Sequence, residues 1–303
     1  MSAYDPAALE CLAAIVEEGG FERAAQRLNV TQSAVSQRLR ALEAQVGSVL
    51  IVRTRPLRPT NAGQLLLKHT KQLRLLRADL ERDLQELAPS APGGSREDER
   101  ISIAINADSI ATWAMGALHD LVRQRLPLEI IVDDQDFTQE WLRSGQVLGC
   151  VTTLKQALRG CKMVPLGAMP YVAVASASYA QQYLPQGLTP HNFRDVSFLS
   201  FNRKDDMAAE FVARAFGLKR VALNHLFVPG SEAQMRAVAA GWAVGVVPEL
   251  LARRAIADGS VVDLAPGRSL PIQLYWHCWN LESELLDALS SALTSAAAQA
   301  LVS

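Results

Sequence analysis

Residues 21–28, FERAAQRL, lead through Asn29-Val30 into residues 31–39, TQSAVSQRL, and this stretch decides how the chain begins to fold. Ala24, Ala25 and Leu28 share one side of a short helix, and Asn29-Val30 predicts a tight turn. Thr31 is a strong N-cap for a further helix. In that helix Val35, Leu39, Leu42 and Val46 form one apolar stripe, and Gly47 ends it. Upstream, Leu9, Leu12, Ala13 and Val16 recur at helical spacing until Gly19-Gly20. Two short helices, a tight turn and a third helix with a polar outer face describe a helix-turn-helix. Its candidate DNA contacts are Thr31, Gln32, Ser33, Ser36, Gln37, Arg38 and Arg40, with Arg23 from the helix before. Gln and Ser bond base edges, and Arg bonds phosphate or guanine. Val49 to Arg53 reads as a strand, and Arg53, Arg55 and Arg58 surround a turn bearing Pro56 and Pro59. That is a wing whose arginines would follow the phosphate backbone. A plain three-helix cap needs neither wing nor polar face.

Charge supports the same division. The 303 residues carry a net −1, which by itself suggests no polyanionic partner. Yet residues 20–77 hold eleven Lys and Arg against two acids, while residues 78–303 hold nineteen bases against twenty-five acids. A basic segment in a near-neutral chain is expected where one module meets phosphates and another does something else. With 49% hydrophobic and 20% charged residues, wholesale disorder is excluded, and the length allows two or three domains. No apolar run approaches a membrane span, and Met1 to Asp5 do not begin a secretory signal, so a cytoplasmic protein without membrane association is expected. Cys11, Cys150, Cys161 and Cys278 form no C-x-x-C pair, which argues against a metal finger or disulfide framework and fits a reducing cytosol. No cofactor or metal is expected.

The order Phe21–Leu28, Thr31–Leu39, Leu42-Glu43, Arg53 and Pro59-Thr60-Asn61-Ala62-Gly63 resembles the DNA-binding domain of LysR-type transcriptional regulators. Thr60 caps a long helix in which Leu66, Leu73, Leu80 and Leu87 lie seven apart, with Leu76 and Leu84 beside them. So narrow a stripe suits a helix–helix seam. The resemblance implies a linker helix that pairs two protomers antiparallel, so that a homodimer or homotetramer addresses two half-sites of promoter DNA.

Residues 1–60 are thus read as a winged helix-turn-helix, 61–88 as the linker helix and 89–100, rich in Pro, Gly and Ser, as a hinge. Residues 101–303 alternate strands and helices, as in an α/β effector domain. It is read as two subdomains, 101–170 plus 271–303 and 171–270. The resemblance likens it to a type 2 periplasmic binding protein with its ligand between the subdomains. Ligands of such sheets lie beyond the carboxyl ends of strands. Asn106, Asp108, Ser109, Thr112 and Trp113 follow the first strand there; Asp133 and Asp134 end the second, and Thr152 the third. Phe201, Asp205, Asp206, Ser231, Glu232 and Trp276 complete the candidate effector set. So many acids around a carboxylate receptor suit a zwitterion with an extra positive charge, a basic amino acid.

Asn106–Trp113, Asp133-Asp134, Thr138-Gln139-Glu140, Val147–Val151, Leu166-Gly167-Ala168, Asp205-Asp206-Met207, Ser231-Glu232-Ala233 and Leu274–His277 narrow the resemblance to the ArgP/LysG branch of that family. It implies sensing of lysine or arginine, activation of a basic amino-acid exporter gene, and contact with RNA polymerase. A different small effector is the alternative. An enzyme on the same fold is disfavoured, because the chain has no G-x-G-x-x-G, P-loop, G-x-S-x-G or H-E-x-x-H, and no nucleophile beside a base. His277, next to Tyr275 and Trp276, reads as a packed residue rather than a general base. A purely architectural DNA binder would not need the large α/β domain.

Overall fold

A computed structural model of the chain describes residues 4–52, 54, 56–87, 101–123, 128–133 and 138–302. It opens with α1 (Pro6–Glu17), α2 (Phe21–Arg27) and α3 (Gln32–Val46). The Asp5 carboxylate accepts from the backbone N–H of Ala7 (3.0 Å), and the Thr31 hydroxyl accepts from that of Ala34 (3.2 Å). Such caps satisfy donors that the first helical turn leaves without partners. Asn29 joins α2 to α3 at φ 52°, a left-handed conformation that Asn tolerates better than most residues. Leu12, Ile15, Leu39, Leu42 and Leu50 are fully buried at the centre of this domain. An antiparallel ribbon of β1 (Ile51–Val52) and β2 (Arg58–Pro59) makes the wing.

Helix α4 (Asn61–Leu87) follows, capped by the Thr60 hydroxyl, which accepts from the N–H of Gly63 (3.1 Å). Leu66 and Leu67 are buried in the N-terminal core, whereas Leu75 joins the core of the C-terminal domain. Leu65, Leu73, Leu76, Leu80 and Leu84 remain exposed. This corrects the seam read from the sequence: Leu66 turns into its own domain, and Leu65, one 100° step away around the helix, takes its place on the free side. The side chain of Leu87 and the hinge, 89–100, lie outside the described residues.

The C-terminal domain runs β3 (Ile101–Asn106), α5 (Ala107–Ser109), a π-helical turn (Ile110–Ala114), α6 (Met115–Arg123), β4 (Leu128–Asp133), α7 (Thr138–Arg143) and β5 (Gly149–Thr152). It continues with β6 (Cys161–Ser176), α8 (Ala177–Tyr183), β7 (Ser197–Ser200), α9 (Met207–Phe216), β8 (Asn224–Phe227) and α10 (Ser231–Ala239). It closes with β9 (Gly245–Pro248), α11 (Glu249–Ala257), β10 (Val261–Asp263), β11 (Leu270–Trp279) and α12 (Glu284–Ala300). One sheet has the order β10-β6-β11-β5-β3-β4, with β9 also on β6, and β7 pairs β8 in a second, small sheet.

The long strand β6 does not break where the sequence reading divides the domain at 170/171: Tyr171–Ala175 is the end of one 16-residue strand, whose partner β11 begins at Leu270, beside the other boundary. Between Leu274 and Tyr275 the register slips past Leu166, and Gly167 beside it stands at φ 116°. A bulge of this kind bends a strand while keeping its pairing, which lets one pair of strands serve two lobes.

Gly63 sits so close to the wing that a β-carbon there would lie 2.2 Å from the carbonyl oxygen of Leu50. Gly63→Ala is expected to destabilise the N-terminal domain by about 1–3 kcal/mol through overpacking. Urea unfolding followed by circular dichroism should show an early transition at lower denaturant; an unchanged midpoint would mean that the junction yields freely.

Candidate functional site

On the N-terminal domain, Thr31, Gln32, Ser33, Gln37 and Arg40 stand exposed on α3, with Ser36 half-buried among them; Arg23 of α2 and Arg58 of the wing are also exposed. The residues proposed to meet DNA therefore lie on the outward side of α3, on α2 and on the ribbon, except that Arg53 and Arg55 are outside the described residues. Arg38 departs from this set. It is half-buried, and its guanidinium lies 3.9 Å from the thiol of Cys11 in α1.

Other charges of the basic segment also turn inward. Arg27 pairs with Glu17 at 2.7 Å and with Glu18 at 3.3 Å. Arg74 of α4 donates to Glu10 and, at 2.9 Å, to Glu17. Burial works against the Glu17 carboxylate, but Arg74, Lys71 and Arg27 together hold it below its ordinary pKa. Part of the segment's positive charge is thus structural, fastening α1 and α2 to α4.

In the C-terminal domain a cleft opens beyond the ends of β3 and β4. Asn106, Asp108 and Asp133 line it from one lobe, and Phe201, Asp205 and Ser231 from the other, so six of the proposed effector residues come together. Tyr171, Met207, Gln234 and Val246 line it too. These were invisible in the sequence because each reads as an ordinary core or helix position. Tyr171 in particular is almost wholly buried, and only the path of β6 carries it to the cleft.

The cleft's electrostatics are one-sided: no Lys, Arg or His stands among the described lining residues, against three aspartates. Asp108 accepts a short hydrogen bond from the Tyr171 hydroxyl. Burial pushes its pKa up and the Asp205 carboxylate adds to the rise, while bonds from Ser231 and Tyr171 oppose it. Asp133 accepts from the indole N–H of Trp141 (2.9 Å). Asn106 is buried with neither polar atom of its side chain partnered; the Ser109 hydroxyl is likewise buried and without a partner, but Ser109 does not line the cleft as the sequence reading expects. Orphaned buried groups are costly unless something else satisfies them.

Several expectations for the cleft do not hold. Both oxygens of Asp205 accept backbone N–H groups, from Phe201 (2.6 Å) and Met207 (3.0 Å), so this acid shapes its loop as well as facing the cleft. Asp206 and Glu232 point to solvent outside it. Trp276 is a core residue: its ring fills the space over Gly149 and its N–H donates to Ser290 (2.9 Å). Thr152 is buried and donates to Gln139, Thr112 donates to the carbonyl of Asp108, and Trp113 is packed in the core; none of the three lines the cleft. Asp134 lies outside the described residues. His277 is fully buried with Nε2 on the Leu154 carbonyl (2.8 Å), and burial lowers its pKa. Among the described residues no group of three or more His, Cys, Asp or Glu is placed to hold a metal, and no helix is long and apolar enough to cross a membrane.

A winged helix-turn-helix joined by a long helix to a two-lobed sheet domain with a cleft is matched by known proteins along its whole length. Residues 6–64 match the bacterial regulatory helix-turn-helix protein family of LysR type, and residues 94–299 match the LysR substrate binding domain. The chain is a LysR-type transcriptional regulator. It is 40% identical over 302 residues to the HTH-type transcriptional regulator ArgP of Aeromonas salmonicida, covering 99% of both chains. Its fold is that of the crystal structure of ArgP from Mycobacterium tuberculosis, with TM-score 0.84, 38% identity and 99% of each chain covered. It is also similar to full-length LysG from Corynebacterium glutamicum with bound effector Arg, with TM-score 0.73, 31% identity, and 99% and 100% covered. These relatives are named as regulators, in line with a regulator rather than an enzyme.

In this regulator the raised pKa of Asp108 has a definite sign. A carboxyl favoured in its neutral form loses stability for the fold as pH climbs from its ordinary pKa, about 3.9, toward its folded one. Asp108→Asn is therefore expected to melt higher than the parent protein at pH 7–8, with the gap shrinking toward pH 4. Equal melting temperatures across that range would show that the cleft bears no unrelieved charge at Asp108.

Proposed function

We propose that this regulator senses a basic amino acid, lysine or arginine, in the cleft of its C-terminal domain and activates transcription of a basic amino-acid exporter gene. The observation that carries the reading is the charge of the cleft: three aspartates, no opposing base among the described lining residues, and a buried amide with nothing to bond. A basic amino acid brings two cations and one carboxylate. Asn106 suits the carboxylate, and Asp108 and Asp133 suit the cations, which a low-dielectric site rewards most. The Corynebacterium glutamicum relative, solved with bound effector Arg, supports the same class of ligand.

At the other end, Gln32, Ser33, Ser36 and Gln37 would read base edges while Arg23, Arg40, Arg53, Arg55 and Arg58 grip phosphates. Leu65, Leu73, Leu76, Leu80 and Leu84 leave an apolar stripe along α4, which a second copy would cover in a dimer or, doubled, a tetramer. Activation would then place the bound regulator beside RNA polymerase in the cytoplasm. A ligand can shift such an assembly only by binding one arrangement more tightly than another.

The deciding experiment is a thermal shift against the twenty amino acids. A ligand of the folded state at a hundredfold excess over its Kd adds about 2.7 kcal/mol, a rise of several degrees. Lysine or arginine should give the largest rise; a neutral or acidic amino acid doing so instead would sink the reading. On DNA, Arg58→Ala should lower the slope of log affinity against log salt by about 1 for specific and random duplexes alike. An unchanged slope would remove the wing from the interface.

A further inference from the structure

The short helix α7 reaches a cleft residue through one side chain, and the turn that follows it packs on helix α4. From its middle, Trp141 donates to the cleft aspartate Asp133 (2.9 Å). Just beyond its end, the backbone of the same Trp141 anchors a turn: its carbonyl accepts from the N–H of Gln146 (2.9 Å) and from the Ser144 hydroxyl (3.1 Å). Gln146 braces that turn from its side chain, donating to Ser144 (2.9 Å). Gly145 closes it at φ 72°, pressed so tightly on α4 that a β-carbon would lie 2.6 Å from the β-carbon of Lys68.

Lys71, one turn along α4, then reaches across to this turn and donates to the Gln146 carbonyl at 2.6 Å. Its ammonium also lies in the fields of Glu17 from α1 and Glu129 from β4. Glu17 is the residue that Arg74 and Arg27 hold, so the same carboxylate ties α1 and α2 of the DNA-binding domain to α4. Bonds and packed backbone therefore join Asp133 to Lys71 on α4, and from α4 the Arg74–Glu17 pair leads on to the winged helix within one chain.

We propose that α7 and the Ser144–Gln146 turn transmit the state of the cleft to the DNA-binding domain, with the Lys71 ammonium as the link that α4 holds. The mechanics follow from rigidity. A cation drawn to Asp133 competes with the Trp141 indole for that carboxylate and resets α7. A six-residue helix bonded to its own turn moves as a body, so the Gln146 carbonyl shifts against Lys71. When that bond lengthens, the ammonium leans toward Glu17, and the balance of Arg27, Lys71 and Arg74 around it changes where α1 sits on α4. Lys71 is thus a positioning residue that touches neither effector nor DNA. The inference rests on the reading of the cleft as the effector site.

The test uses the full-length protein, L-arginine and L-lysine as probes, and a duplex selected by the parent protein from a random pool. Calorimetry gives affinity for the amino acid, and fluorescence anisotropy gives DNA affinity with and without it; the ratio of the two DNA affinities is the coupling factor. Lys71→Met keeps the length of the side chain without its charge. The expected result is a coupling factor that falls toward 1, while amino-acid affinity and unliganded DNA affinity each stay within about threefold of the parent. Lys71→Arg should recover part of the coupling. Coupling at the parent value in Lys71→Met overturns the proposal, as does a parent protein that binds the amino acid without any change in DNA affinity. If neither amino acid binds the parent protein, it is the reading of the cleft that fails, and the proposal with it. Should Lys71→Met not fold, hydrogen exchange on the parent decides. Arginine must alter protection both at the 144–146 amides and around residue 71 of α4, and no change at either place refutes the link.

Discussion

Helix α4 buries Leu66 and Leu67 in the N-terminal core and Leu75 in the C-terminal one. Leu67 and Leu75 are only about 12 Å apart along the helix axis. No other element of the described chain enters both cores, so this helix fixes where the winged helix stands relative to the sheet domain. Its polar side is committed in the same way. Arg74 is engaged by Glu10 and Glu17 of α1, and Lys71, one turn earlier, by the carbonyl of Gln146. What is left over is the exposed leucine stripe, apolar surface that an isolated chain has no use for.

The cleft shows the opposite arrangement, in which groups are deliberately left unsatisfied. Asp108 is pressed toward neutrality by burial and by Asp205, and Asn106 is buried without a partner. Each is a cost to the empty protein, and each is a gain for a ligand carrying the missing charge and bonds. Stability given up at a binding site reappears as affinity and as selectivity against ligands that cannot supply the same groups.

Much of the fold was legible because it follows from local rules. The Thr31 cap, the left-handed Asn29 and the Gly47 stop are each set by neighbours a few residues away. Charge was legible as a sum but not as a pattern. Arg38, read in the sequence as a DNA contact, and Arg27 and Arg74, which entered only the charge sum of the basic segment, each turn toward α1. The seam was half legible: the heptad found the right helix, but a period of seven could not tell which of two adjacent leucines, Leu65 or Leu66, faces outward once the helix has docked on a core.

The sequence by itself determined that a helix-turn-helix with a basic wing precedes a long helix and an α/β domain, since capping, helical periodicity and strand alternation are short-range. It also placed Asp108 just after the first strand and Asp133 at the end of the second. Only the tertiary structure decided which acids share a cleft, because Asp108 and Asp205 lie about a hundred residues apart in the sequence and meet only after β6 and β11 have joined the two lobes. It also decided that Trp276 belongs to the core and Tyr171 to the site. Both are large, buried aromatic residues on strands, and the face of the sheet to which each turns depends on register and on the bulge at Leu166-Gly167, which no local pattern encodes.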